Sequence, residues 1–243
     1  MSEQDPLPSL NYQITDYVSI FSRMVLSYAP GVGPILAEAA GNVIPNQRLD
    51  RLIQYARVLD NRLSQIEKDV LKSQLSNYFF TDLLEESIIQ ATHALTEERR
   101  QYLTSIIANS ISLSDVEYLE TKRILRLLGE INDIEVIWLR FFLDPVIKGD
   151  VEFRNKHREI LQSVHSYIGA DEKTIEKATM QASYHEHLAQ LGLLEQRYRV
   201  DSKTRMIEMD SFGKLQVDGY DITSLGRLLL QKIGLSKKLD IFR

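Results

Sequence analysis

The stretch "HLAQLGLLEQRYRV", residues His187–Val200, decides how the second half of the chain is read. Up to Leu191 it continues a helical pattern that starts at Glu172, and from Leu194 onward apolar and polar residues alternate. A change from the helical period to a period of two is a helix handing over to a strand. Gly192 stands at the handover, where a residue without a Cβ takes the backbone out of the helix. Beyond it, "TRMIEMD" follows the polar "DSK", and "KLQVDGYDI" follows Gly213. These segments predict a two- or three-stranded hairpin. Thr223 then caps a last helix through "SLGRLLLQKIG", ending at Gly234.

Working back toward the N-terminus, every segment is helical. Composition shifts near Asp144-Pro145, and a charged helix is predicted over 151–168. Asn132 with Glu135 and Ser114 with Glu117 are capping boxes that open helices of 133–143 and 115–128. Thr96 caps "EERRQYLTSIIANSI", with Glu97 and Glu98 at the positive end of its dipole. "NYFFTDLLEESIIQATHAL" puts Phe79, Leu83, Leu84, Ile88, Ala91 and Leu95 on one broad face. Leu49, Leu52, Ala56, Leu59, Leu63, Ile66 and Val70 are spaced alternately three and four apart, a heptad seam that predicts one long helix over 47–75. Its partner is another helix of the chain or a second copy. The fold class is mainly α: a helical bundle over 12–143, then an α+β module with a small β-hairpin over 144–235.

The segment 24–44 carries one charge, Glu38, and is just long enough to cross a bilayer. Pro30 and Pro34 frame Gly31 and Gly33, Glu38 lies near the centre, and the apolar residues are mostly small. A packed hinge between a helix of 15–28 and a short helix of 34–43 is expected instead, with Pro34 in a first helical turn.

"HLAQLGLLEQRYRV", the basic hairpin and "YDITSLGRLLLQKIG" together resemble the end of a winged-helix domain, over about residues 130–234. In that family a helix closes on a Leu-Gly-Leu corner, here Leu191-Gly192-Leu193. A β-hairpin wing follows, and a helix begins at a Thr-x-x-Gly start, here Thr223 to Gly226. The resemblance implies a winged-helix-like module, with Tyr198, Met206 and Ile207 packing inward or sideways. The N-terminal part looks like uncharacterised bacterial helical proteins, which carry no function to transfer. On the proposed wing, Arg197, Arg199, Lys203 and Arg205 form the best nucleic-acid patch in the chain. The helix that would enter a groove is less suited, with Asp171, Glu172, Glu176 and Glu186 against Lys173 and Lys177. Only Lys177 and Gln181 on it are candidates to contact bases.

Composition narrows the chemistry. The chain of 243 residues has no cysteine, which removes disulfides, thiolate nucleophiles and cysteine-based metal sites. Net charge is −5; residues 1–130 hold 12 Lys and Arg against 17 Asp and Glu, and the remainder holds 17 of each. Any nucleic-acid contact would therefore be a local patch. The five histidines, His93, His157, His165, His185 and His187, form no His-Glu-x-x-His motif. His185 and His187 are two apart, so on a helix they diverge by about 200°. Asp82, Glu85 and Glu86 read as a solvated helix face, and Gly31-Val32-Gly33 has neither the third glycine nor the preceding strand of a dinucleotide loop. No catalytic residue, metal or cofactor is expected. The N-terminal "MSEQDPLPSLNYQ" has no basic or apolar signal region, and a cytoplasmic location is expected. The reading is a non-enzymatic macromolecular-interaction protein that assembles through its helical bundle, with a protein partner or self-association. The alternatives are a DNA-binding regulator acting through the wing, and a membrane-acting effector that exposes 24–44.

Overall fold

The computed structural model describes residues 47–111, 113–145, 149–164, 167, 169–209, 213 and 215–236. The hinge expected within 24–44 lies outside these residues, as does His165. The described residues form ten helices and a two-stranded antiparallel sheet, and the chain divides between Gly129 and Glu130 into two compact units.

In the first unit, α1 (Gln47–Leu63) and α2 (Lys68–Leu75) are followed by α3 (Tyr78–His93), α4 (Glu97–Ala108) and α5 (Asp115–Glu130). Leu52, Ala56, Leu59 and Leu63 are buried, as the heptad seam requires, and α1 packs on α3 and α4. The seam therefore finds its partners within the chain. The single helix predicted over 47–75 is two helices. Ser64 bonds its hydroxyl back to the Asn61 carbonyl at 3.0 Å, and the Ile66 amide reaches Leu63 at 3.0 Å, so the first helix tightens and stops. After the restart Leu71 and Leu75 are buried, whereas the seam residue Val70 is only half-buried. A spacing of threes and fours counts residues rather than hydrogen bonds, and a short turn can preserve it.

Caps fix the other helix starts. The Thr96 hydroxyl accepts from the Arg99 amide at 3.1 Å, and Ser114 and Glu117 bond reciprocally. Asn77 caps α3 by accepting from the Phe79 and Phe80 amides at 2.8 and 3.3 Å. At the other ends, arginines donate to carbonyls that a helix leaves unpaired: Arg51 to Thr92, Arg100 to Ala94 and Arg99 to Leu128, at 3.2, 3.0 and 2.7 Å. In the core, the Tyr55 hydroxyl meets Ser87 Oγ at 2.9 Å, and Ser87 donates to the Leu84 carbonyl at 2.7 Å.

The second unit contains α6 (Asp133–Leu143), α7 (Val151–Lys156), α8 (Arg158–Leu161), α9 (Glu172–Gln190), β1 (Leu194–Tyr198), β2 (Val217–Ile222) and α10 (Ser224–Lys232). The Asn132–Glu135 capping box opens α6 with bonds of 2.7 and 2.9 Å. Of the helix predicted over 151–168, the described residues form two short helices that meet at His157. The compositional shift at Asp144-Pro145 falls inside this unit, because α6 packs on α8, α9, α10 and β2. Helix α6, which the sequence reading put at the end of the bundle of 12–143, packs within this unit against the hairpin.

At the Leu-Gly-Leu corner, Gly192 takes φ +73°, and the Leu193 amide bonds back to Leu188 at 2.9 Å while Gly192 bonds to Ala189 at 3.0 Å. Leu188 and Leu193 are both fully buried. The strands pair Leu194 with Ile222, Glu195 with Asp221, Gln196 with Tyr220 and Arg197 with Gly219, before a bulge that sets Tyr198 against Val217. Thr223 closes the two ends of the hairpin. Its amide donates to the Leu193 carbonyl at 3.1 Å, and its hydroxyl donates to the Gly192 carbonyl at 2.7 Å. The same hydroxyl oxygen accepts from the Gly226 amide at 3.0 Å and so caps α10. Gly226 lies so close that a Cβ would stand 2.3 Å from the Leu193 carbonyl and 2.9 Å from Ile222 Cγ1.

Two outcomes follow. Ser87→Ala orphans the buried Tyr55 hydroxyl and should cost about 1–3 kcal/mol, more than Tyr55→Phe, which leaves Ser87 bonded to Leu84; urea unfolding followed by helical circular dichroism checks the order. In the second unit Gly226→Ala should cost about 3 kcal/mol, Thr223→Ala about 1 kcal/mol, and Gly192→Ala, with open space around it, about 1 kcal/mol of backbone strain. Trp138, the sole tryptophan and a residue of this unit, reports these unfolding midpoints.

Candidate interaction site

Among the described residues, the hairpin is buried against the helical layer at its β1 and β2 end. Leu194 is 2% exposed and Ile222 8%, where α9 meets β1 and α6 meets β2. Farther out, Val217 is 40% exposed, Val200 52% and Met209 59%. The outer part is joined by single bridges, Val200 to Ile207 and Met209 to Leu215, and by amide bonds linking Arg199, Glu208 and Gln216. Of the inward or sideways packing expected for Met206 and Ile207, exposures of 72% and 46% exclude the inward form. Tyr198 is half-buried and donates its hydroxyl to Gln196 Oε1 at 2.9 Å. Alternation along a strand buries a side chain only where a second layer lies beneath it, and the described helices meet the hairpin at its β1 and β2 end.

Each of the four wing cations has a defined place. Arg197, on the outer face of β1, lies 3.5 Å from Asp218 and 3.3 Å from Asp221. Arg199, just past β1, lies 3.3 Å from Glu208. Lys203 and Arg205 sit in the turn at the tip, and neither side chain has an ion pair among the described residues. Asp201 organises that turn by accepting from the amides of Thr204 and Lys203 at 2.6 and 2.8 Å and from the Thr204 hydroxyl at 3.0 Å. Those donors hold its carboxyl below the usual range, the Thr204 amide most of all. Arg205 takes φ +61°, a left-handed conformation uncommon for a residue with a Cβ. From Leu194 to Ile222 the sequence holds five Lys and Arg against six Asp and Glu. The cations are clustered, yet the hairpin that carries them is not a basic surface.

Of the carboxylates named on α9, Asp171, Glu172 and Glu176 lie at its N-terminal end and Glu186 near its C-terminal end. Asp171 caps the helix by accepting from the Thr174 amide at 3.0 Å and hydroxyl at 2.8 Å, and these bonds lower its pKa, the hydroxyl first. Gln181 is engaged elsewhere: its Oε1 accepts from the Val164 amide at 3.0 Å, and its Nε2 donates to the Gln162 carbonyl at 3.4 Å.

The two histidines of α9 point to different neighbours. His187 Nδ1 bonds the buried Glu135 at 2.7 Å, while the capping box holds the other carboxylate oxygen. His185 lies edge-on to Trp138 at 4.5 Å and to Phe142 at 5.3 Å, with Tyr220 at 5.3 Å. Among the described residues no group of histidines and carboxylates has the arrangement to hold a metal ion. Sequence reasoning found Glu135 as a cap residue but missed its partner, which comes from 52 positions away. The exposed apolar tip was also missed, because alternation alone does not say where the underlying layer ends. No family model, curated protein or solved structure matches this chain.

Proposed function

We propose that this is a non-enzymatic macromolecular-interaction protein. Its second unit is a winged-helix-like module that meets a protein partner through the tip of its hairpin. One observation carries the reading: Val200, Met206, Ile207 and Met209 are exposed together at the tip, while Arg197 and Arg199 are matched by carboxylates of the same hairpin. A patch of methionine and β-branched side chains beside internally neutralised charge favours desolvating contact with an apolar protein face. It disfavours a phosphate backbone, whose affinity rests on uncompensated cations. The winged-helix reading is supported by a Leu-Gly-Leu corner, a two-stranded hairpin and a Thr-x-x-Gly helix start following one another in one unit. The seam of α1 is covered by α3 and α4, which moves the expected contact from the bundle to the hairpin.

A DNA-binding regulator is the second reading, favoured by Lys203 and Arg205, which project from the turn without an ion pair among the described residues. The membrane-acting alternative concerns 24–44, outside the described residues, and among those described no helix is long and apolar enough to cross a membrane.

The deciding experiment compares wild type, a tip variant (Met206→Glu with Met209→Glu) and a charge variant with Arg197, Arg199, Lys203 and Arg205 all changed to Ala. The protein-contact reading predicts partner capture or self-association that survives the charge variant and falls at least tenfold in the tip variant, with no salt-sensitive binding of duplex DNA. Duplex binding that weakens steeply with salt and disappears in the charge variant would transfer the function to the second reading.

A further inference from the structure

We propose that His185 is an acid-sensitive joint, whose protonation releases the hairpin from the helices of the second unit. The imidazole fills the space between α6 and β2, edge-on to Trp138 and Phe142 on one side and against Tyr220 on the other. Phe142 and Tyr220 themselves approach to 6.2 Å, so this aromatic group is where the sheet meets the helical layer. His185 Nε2 is buried without a hydrogen-bond partner. A neutral ring tolerates that position, but an imidazolium has two N–H donors and would bury one of them, with its charge, among apolar rings.

The neighbouring polar groups do not relieve this. On α6, Glu135 is taken up by His187 and the capping box. From β2 comes the Tyr220 phenol, whose own pKa burial raises, Glu186 adding to the effect. From β1 comes the Tyr198 phenol, bonded to Gln196. On α9 itself Glu186 is exposed, and among the described residues no carboxylate bonds His185. Burial alone pushes the His185 pKa down to about 4 from its ordinary 6.5. A released state takes up the proton first, so the closed state is fully favoured above pH 6.5 and loses its advantage as pH falls toward 4. The ratio of closed to released forms should fall on the order of a hundredfold between pH 7 and pH 4. This is independent of what the hairpin tip binds.

Trp138 gives a direct readout, being the only tryptophan and lying 4.5 Å from the His185 ring. In the full chain its emission should change cooperatively between pH 6.5 and 4, while far-ultraviolet circular dichroism retains the helical signal. Acid protease at the low end should cut within the hairpin. His185→Phe keeps an apolar ring and should abolish both effects, whereas His187→Gln should keep them. An unchanged transition in His185→Phe, or no change in emission down to pH 4, would overturn the proposal. Should His185→Phe fold poorly, NMR titration of His185 in the wild-type chain decides: a pKa below 5 supports the joint, and one near 6.5 overturns it.

Discussion

The second unit depends on a close approach of backbone to backbone. Thr223 bonds both Gly192 and Leu193, and Gly226 packs against the Leu193 carbonyl at a distance that excludes any side chain. The corner that ends α9 is thereby joined to the residue that starts α10, and the hairpin becomes a closed excursion from one point. Pairing of Leu194 with Ile222 follows, because both strands leave from that point in fixed register. Burial of their side chains against α6 and α9 then falls away along the described strands with distance from the clasp. The exposed tip is a geometric consequence of where the clasp sits.

Much of this was legible in the sequence because it rests on local chemistry. A capping box is a pattern of two residues three apart, and Ser114 with Glu117 and Asn132 with Glu135 both form as read. Gly192 and Thr223 were also readable, each from its own demand on the backbone. What was not legible depends on distance in space. The break after Leu63 hides behind an unbroken heptad, since hydroxyl competition at Ser64 leaves the apolar spacing intact. The His187–Glu135 bond joins two residues whose separate patterns say nothing of each other. The placement of α6 with the hairpin is likewise a packing fact, set by Trp138 and Leu139 facing the second unit's core rather than by the loop that follows them.

The candidate site shows why a cluster of cations is weak evidence by itself. Four cations within nine residues look like a phosphate contact when counted along the chain. Folding brings Asp218, Asp221 and Glu208 across the hairpin onto two of them, and the backbone turn keeps Asp201 ionised beside the other two. Exposed ion pairs of this kind add little stability, typically under 1 kcal/mol. Their effect is on the field that a partner meets, which leaves the methionines as the distinctive feature of the tip.

Amide hydrogen exchange along residues 188–236 of the intact chain tests the central claim most directly, namely that the hairpin is clamped at its base and free at its tip. The account predicts strong protection of the Glu195, Asp221, Thr223 and Gly226 amides. Exchange should be far faster at Ser202 and at Lys203 and Thr204, whose amides make exposed bonds to the Asp201 carboxylate. Rapid exchange at Thr223 and Gly226, or uniform protection out to the tip, would contradict it.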